Sequence, residues 1–267
     1  MRYLILVFAL ANSCLAQMQY PLDVVADNDG IMYVADLKLP GIWKIQDGKL
    51  SVFFQADKKF RTPLNAVRCL AVAEDGTLYA GDSATREVYK FDAEGKPVPL
   101  TEGYVGIPSD LLIHDGSIYA ADLETQRVWK FPLDGGEPEE AAILAGVRGL
   151  AWHPDGKLLC ATTLENPLRT VNEDGTLEIL LKDRPFQLNH HIDILDGNLY
   201  VADNYASTIW KVNLSGEPKV EAFAKGAPLN KPVGLSVHNG EILVADPHAV
   251  KIFRINAAGE ISEVSFE

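Results

Sequence analysis

Basic residues are scarce in this chain. Its 24 Lys and Arg stand against 37 Asp and Glu, giving a formal net charge of −13 over 267 residues. Duplex nucleic acid and anionic membrane surfaces demand a basic footprint, so neither is expected as a partner. Long apolar runs are missing as well: the stretch Tyr3 to Leu10 is too short to span a bilayer, and no membrane insertion is expected. Common catalytic signatures are also absent. There is no P-loop, no G-x-G-x-x-G after a strand, no G-x-S-x-G elbow and no H-E-x-x-H helix. No helix-period stripe of useful length appears either, which excludes helical solenoids.

What is present is an ordinary globular composition, 47% apolar and 23% charged with a mean hydropathy near zero. Residues 1–16 stand apart from it. Met1-Arg2 forms a short positive region, YLILVFAL an apolar one, and Cys14-Leu15-Ala16 places small residues at the −3 and −1 positions of a cleavage site. This pattern predicts a secretory signal peptide cut after Ala16, and hence a secreted or periplasmic protein.

The rest of the sequence is a repeat. Six segments share one phrase: IMYVAD (31–36), TLYAGD (77–82), SIYAAD (117–122), KLLCAT (157–162), NLYVAD (198–203) and EILVAD (241–246). An Asp-Gly or Asn-Gly turn precedes each phrase, suited to the positive φ of a tight hairpin, and a short apolar strand precedes each turn. A strand with an aromatic and a base follows, carrying Trp43, Tyr89, Trp129, Trp210 and Phe253 in five units. The fourth unit has LRTV there and Thr162 in place of the terminal Asp, making it the degenerate member. A second glycine turn and a fourth strand complete each unit. Four antiparallel strands repeated at about 40 residues form a propeller blade.

The predicted fold is therefore all-β: a six-bladed β-propeller of four-stranded antiparallel blades over residues 17–267. Its blades fall at approximately 21–63, 64–106, 107–146, 147–187, 188–230 and 231–267. The last unit holds all four of its own strands, so the ring is expected to close without strand exchange. Cys69 and Cys160 fall in non-neighbouring blades and are expected to be buried free thiols rather than a disulfide. The five aromatics should pack between blades.

The phrase P-x-G-apolar-x-V followed by D-G-x-[IL]-Y-V-A-D resembles the NHL repeat, most cleanly in Pro232-Val233-Gly234-Leu235 with Asp246 and in Leu199 to Asp203. The resemblance covers the whole chain beyond residue 16 and implies a fold rather than an activity. Two groups of enzymes have related rings. The gluconolactonase and senescence-marker-protein group holds a divalent metal with carboxylate and Asn side chains at the starts of inner strands. The matching positions here are Leu22, Arg68, Ser109, Arg148, His190 and Val233, with Arg148 where that group has Asn and Val233 where it has Asp. A hard cation such as calcium needs several oxygen ligands, and this set does not supply them. The second group, a lyase acting on peptidyl-hydroxyglycine, implies histidine-bound zinc near arginines. His190, His191 and His248 fall on the same face here. Neighbouring strand residues point to opposite faces, however, so His190 and His191 should not both enter the channel. No cofactor is expected, zinc or calcium being the alternatives.

Two rings of side chains converge on the top face of such a ring. The first, Asp36, Asp82, Asp122, Asp203 and Asp246, recurs in every regular blade and is expected to cap the following loops through backbone N–H groups. The second does not recur. Inner strands begin Leu22-Asp23, Arg68-Cys69, Ser109-Asp110, Arg148-Gly149, His190-His191 and Val233-Gly234. Arg68 and Arg148, two blades apart, suit a clamp for carboxylate or phosphate, unless each pairs with Asp23 or Asp110 and merely plugs the channel. The candidate ligand-binding residues are Arg68, Arg148, His190, Asp23, Asp110 and Ser109, with His190 the candidate catalytic group. Together these features predict a monomeric binding module for a small anionic molecule or a protein, with a lactonase-like or lyase-like enzyme as the alternative.

Overall fold

The computed structural model describes residues 17–57, 59 and 61–267. The expected signal peptide lies outside the described residues. The described chain forms six four-stranded antiparallel sheets, each built from four consecutive strands. The inner strands are Pro21–Ala26, Val67–Val72, Pro108–His114, Val147–Trp152, Asn189–Leu195 and Gly234–His238. Each packs against the inner strands of its two neighbours, closing a six-bladed propeller around a central channel.

The hydrophobic core is distributed as six clusters at the interfaces between adjacent blades. This follows from the pleat: the second strand of each blade is buried along its length, save for a half-buried first residue in blades three, five and six, so both its faces meet apolar side chains. All six sheets are made of strands consecutive in sequence, so closure occurs without strand exchange. The termini nevertheless help. Met18, Val264 and Phe266 join the cluster between blades six and one, and Glu267 exchanges two backbone hydrogen bonds with Gly48 and Leu50 of blade one.

The repeated Asp does more than cap the loop after it. Asp36 is fully buried and accepts N–H bonds from Lys38 and Leu39 in that loop, and also from Gln19 and Tyr20 leading into the inner strand. Asp82, Asp122, Asp203 and Asp246 repeat this two-sided pattern. The third-strand aromatic belongs to the same device: the indole Nε1 of Trp43, Trp129 and Trp210 donates to the Asp of its own blade. Blade four has lost both partners together. Thr162 takes one N–H, from Leu164, and Arg169 occupies the aromatic position with its Nε buried and unpartnered.

Candidate functional site: a channel divided into two chambers

Five inner strands begin with a break in register. Pairing skips Leu22, Arg68, Ser109 and Arg148 in blades one to four, and spans His190 and His191 in blade five. A β-bulge inserts an unpaired residue and re-aims its side chain. Blade six takes up regular pairing only at Gly234, one residue beyond Val233. The residues at these positions line a cavity of about 320 Å³ at the top of the channel. The expectation that His190 and His191 must point to opposite faces is therefore corrected: both line this cavity, because the bulge interrupts the alternation on which it relied.

One residue further in lies a second ring: Asp23, Cys69, Asp110, Gly149, His191 and Gly234. It alternates. Blades one, three and five supply Asp, Asp and His; blades two, four and six supply small residues. The small residues are a steric necessity at two positions. A Cβ on Gly149 would sit 2.6 Å from the His190 carbonyl oxygen, and one on Gly234 2.6 Å from the Asp23 Cα.

These glycines let neighbouring inner strands approach closely, and within the ring His191 of blade five reaches residues of blades one and three. Its Nδ1 lies 3.2 Å from Asp23 Oδ1 and 4.0 Å from Asp110 Oδ1, and its Nε2 is 2.8 Å from the carbonyl oxygen of Ser109. Burial opposes a charge on His191, but the two carboxylates outweigh it and raise its pKa to about 9. Asp110 is pushed up to about 7 by burial, against the pull of His191.

Each carboxylate also ties two blades together. Asp23 Oδ2 accepts the Leu70 N–H and Asp110 Oδ2 the Leu150 N–H, at 2.7 and 2.8 Å. Asp193, one turn of the pleat lower in blade five, accepts the Val237 N–H of blade six at 2.7 Å. Burial, only partly offset by the N–H groups of Val237 and Ile194, raises its pKa to about 6. These acids line a lower cavity of about 210 Å³, and His191 forms the partition between it and the upper one.

The upper chamber has the opposite character. Arg68, Arg148 and Lys231 line it, and no Asp or Glu does. Arg68 Nε donates to Ser83 Oγ at 3.0 Å, a neutral partner. Arg148 Nε is buried and has none. Burial and the nearby Arg68 guanidinium both lower the Arg148 pKa. His190 beside it is driven down to about 3, first by burial and then by Arg148 and His191, so at neutral pH its imidazole is uncharged. Two rim aromatics come from loops: Tyr205, 63% exposed, lies under the Lys231 ammonium, and Tyr20 meets His248 edge-on at 6.0 Å.

With this geometry in hand, comparison with known proteins places the fold. A search of the curated proteins finds no match. A model of the anaphase-promoting complex subunit 4 WD40 domain matches residues 110–179. Solved structures resemble far more of the chain. Virginiamycin B lyase from Staphylococcus aureus is 18% identical with a TM-score of 0.70, over 92% of this chain and 84% of that one. A gluconolactonase from Xanthomonas campestris is 17% identical with a TM-score of 0.71, over 92% and 87%. The nidogen/laminin complex contains a chain 16% identical with a TM-score of 0.71, over 86% and 90%. At these identities the likeness is one of fold. Propellers of this shape occur in a lyase, in a gluconolactonase and in the nidogen/laminin complex, so activity has to be read from the site.

Of the residues singled out from sequence, Arg68, Ser109, Arg148 and His190 come together in the upper chamber, while Asp23 and Asp110 line the lower one. The two groups are not ion-paired to one another: the acids bind His191 and backbone N–H groups instead. Sequence reasoning passed over His191 as a structural element, and over Asp193, Lys231 and Tyr205. An acid inside the apolar strand HIDI was a readable signal for Asp193; nothing in the loops marked Lys231 or Tyr205. Among the described residues, no three His, Cys, Asp or Glu side chains converge to hold a metal ion. Cys69 and Cys160 are buried free thiols with raised pKa values, first of all from burial.

Proposed function

We propose that this chain is an exported NHL-type propeller that binds a small anionic molecule in its upper chamber. The observation that carries the reading is Arg148: a half-buried guanidinium whose Nε is buried and unpartnered, next to a second arginine, in a chamber without a carboxylate. Leaving a buried charged donor unsatisfied is costly; Arg169 has an unpartnered Nε too, away from the chamber, and what distinguishes Arg148 is its place on the chamber beside Arg68. In a chain of net charge −13, a local concentration of positive charge also has to be built deliberately. Export is inferred from residues 1–16 alone, and sequencing the amino terminus of the mature protein tests it.

A second reading, a lactonase-like or lyase-like enzyme, draws support from His190. Its imidazole is neutral at physiological pH and lines the same chamber as two guanidinium groups that would hold an anionic substrate; with a pKa of about 3 it is a weak base, and a bound anion offsetting Arg148 would raise its basicity. Calorimetric titration with carboxylates and inorganic phosphate tests the first reading: measurable binding that disappears in Arg148→Met supports it, and no binding by any of them removes it. Turnover of a lactone or ester that is lost in His190→Gln while ligand binding persists would move the assignment to the enzyme.

A further inference from the structure

The ring of bulged residues is not uniformly polar, and its asymmetry specifies the ligand; this inference rests on the anion-binding reading above. Blades two to five present Arg68, Ser109, Arg148 and His190 to the chamber. Blades six and one, adjacent around the ring, present Val233 and Leu22. The rim does not follow this division: His248 and Lys231 both belong to blade six, His248 meeting Tyr20 edge-on and Lys231 lying over Tyr205 of blade five, and Leu123 of blade three and Leu188 of blade five add apolar surface. At the level of the inner strands the division holds: one wall carries Arg68, Arg148 and His190, and the facing wall carries Leu22 and Val233.

An inorganic oxyanion would satisfy the first wall and leave Leu22 and Val233 against water. A ligand with a head and an apolar body satisfies both. We propose that the chamber takes an organic acid, its oxyanion head on Arg68 and Arg148 and its acyl or aryl body against Leu22 and Val233. The cavity of about 320 Å³ restricts this to a small molecule, at the lower end of the size range of small-molecule sites. The head is a carboxylate or a phosphate ester, since a guanidinium pair accepts either.

The test is a titration of the purified protein with acetate, butyrate, hexanoate, phenylacetate, phenyl phosphate and inorganic phosphate, followed by calorimetry and by thermal shift. Each buried methylene should tighten binding about threefold to fourfold until the apolar wall is covered. Phenyl phosphate should bind at least tenfold more tightly than inorganic phosphate. In Leu22→Ser and Val233→Ser, hexanoate should lose several times more affinity than acetate. Val233→Thr, which keeps the shape and changes only polarity, gives the same readout if either serine variant fails to fold. Equal affinity for acetate, hexanoate and inorganic phosphate overturns the apolar-body inference and leaves the anion site standing. An undiminished chain-length effect in all three variants overturns the placement of the body on blades six and one. If no anion binds, both this inference and the reading beneath it fall.

Discussion

The two chambers of the channel are built from the same six strands, a few residues apart, yet they treat charge in opposite ways. Below the partition, every carboxylate is matched: Asp23, Asp110 and Asp193 each accept N–H bonds from their own blade and the next, and Asp23 and Asp110 also face His191. Above it, Arg148 has an unpartnered Nε and Arg68 only a serine hydroxyl. The difference separates structure from function within one channel. Charges that answer one another hold blades together, and charges left unanswered wait for something from outside.

The largest effect expected from this contrast lies below. Replacing His191 by Ala strands two buried carboxylates, and removal of one partner from a buried pair typically costs about 3–5 kcal/mol. Denaturant unfolding at neutral pH should register a loss of that order. A loss below about 1 kcal/mol would show that the layer is not a structural tie.

The same layer should give the protein a distinctive pH dependence. The folded chain holds the His191 proton more tightly than the unfolded chain, with its pKa near 9 against an ordinary value of 6.5. Its contribution is therefore complete below about pH 6.5 and is lost as the pH climbs through about 9. His190 works in the reverse sense: its pKa of about 3 makes stability fall as the pH drops from about 6.5. Asp110, raised to about 7 by burial against the pull of His191, titrates in the same window, so thermal unfolding between about pH 6.5 and 9 should show a decline that His191→Gln with Asp110→Asn abolishes and His190→Gln leaves in place.

Above the partition the sign of the stability effect reverses. Arg148→Met should abolish anion binding while leaving stability unchanged or raising it by about 1–2 kcal/mol, because it removes a buried donor without an acceptor and a repulsion with Arg68. Loss of both binding and stability would make Arg148 a structural residue and erase the contrast.

The smallest effect is expected at the rim. Lys231→Ala should weaken anion binding less than about fivefold, acting mainly on the association rate and its salt dependence, as exposed charges do. Stopped-flow measurements at two salt concentrations separate this from a direct contact, which would instead raise the dissociation rate.

Much of this was legible before any coordinates. The recurring Asp, its preceding glycine turn and the apolar strand before it locate the strands of each blade, because strand period and turn chemistry are local properties of a few residues. The positions that break the pseudo-symmetry, Arg68, Arg148 and His190, were legible for the same reason: a regular background exposes its exceptions. The Asp–Trp bond within blades one, three and five was not read, although the chain contains its own hint. Blade four loses Asp and aromatic together, at Thr162 and Arg169, as two partners of one contact would.

What escaped the sequence was direction. Strand alternation assigned His190 and His191 to opposite faces, and an extra unpaired residue at the start of the strand, visible only once the second strand lies beside it, turns both into the channel. Pairing escaped as well. The sequence offered Arg68 and Arg148 as partners for Asp23 and Asp110, whereas in the structure both acids face His191, which reaches them from two blades away.

By itself, then, the sequence determined the number of blades, their strands and the residues at the mouth of the channel, since these depend on contacts within about 40 residues. Only the tertiary structure decided that the acids turn inward to His191 and leave the arginines in a chamber that no Asp or Glu lines. That outcome depends on distances across the ring, between residues more than 80 positions apart, and on the close approach of neighbouring inner strands that Gly149 and Gly234 allow.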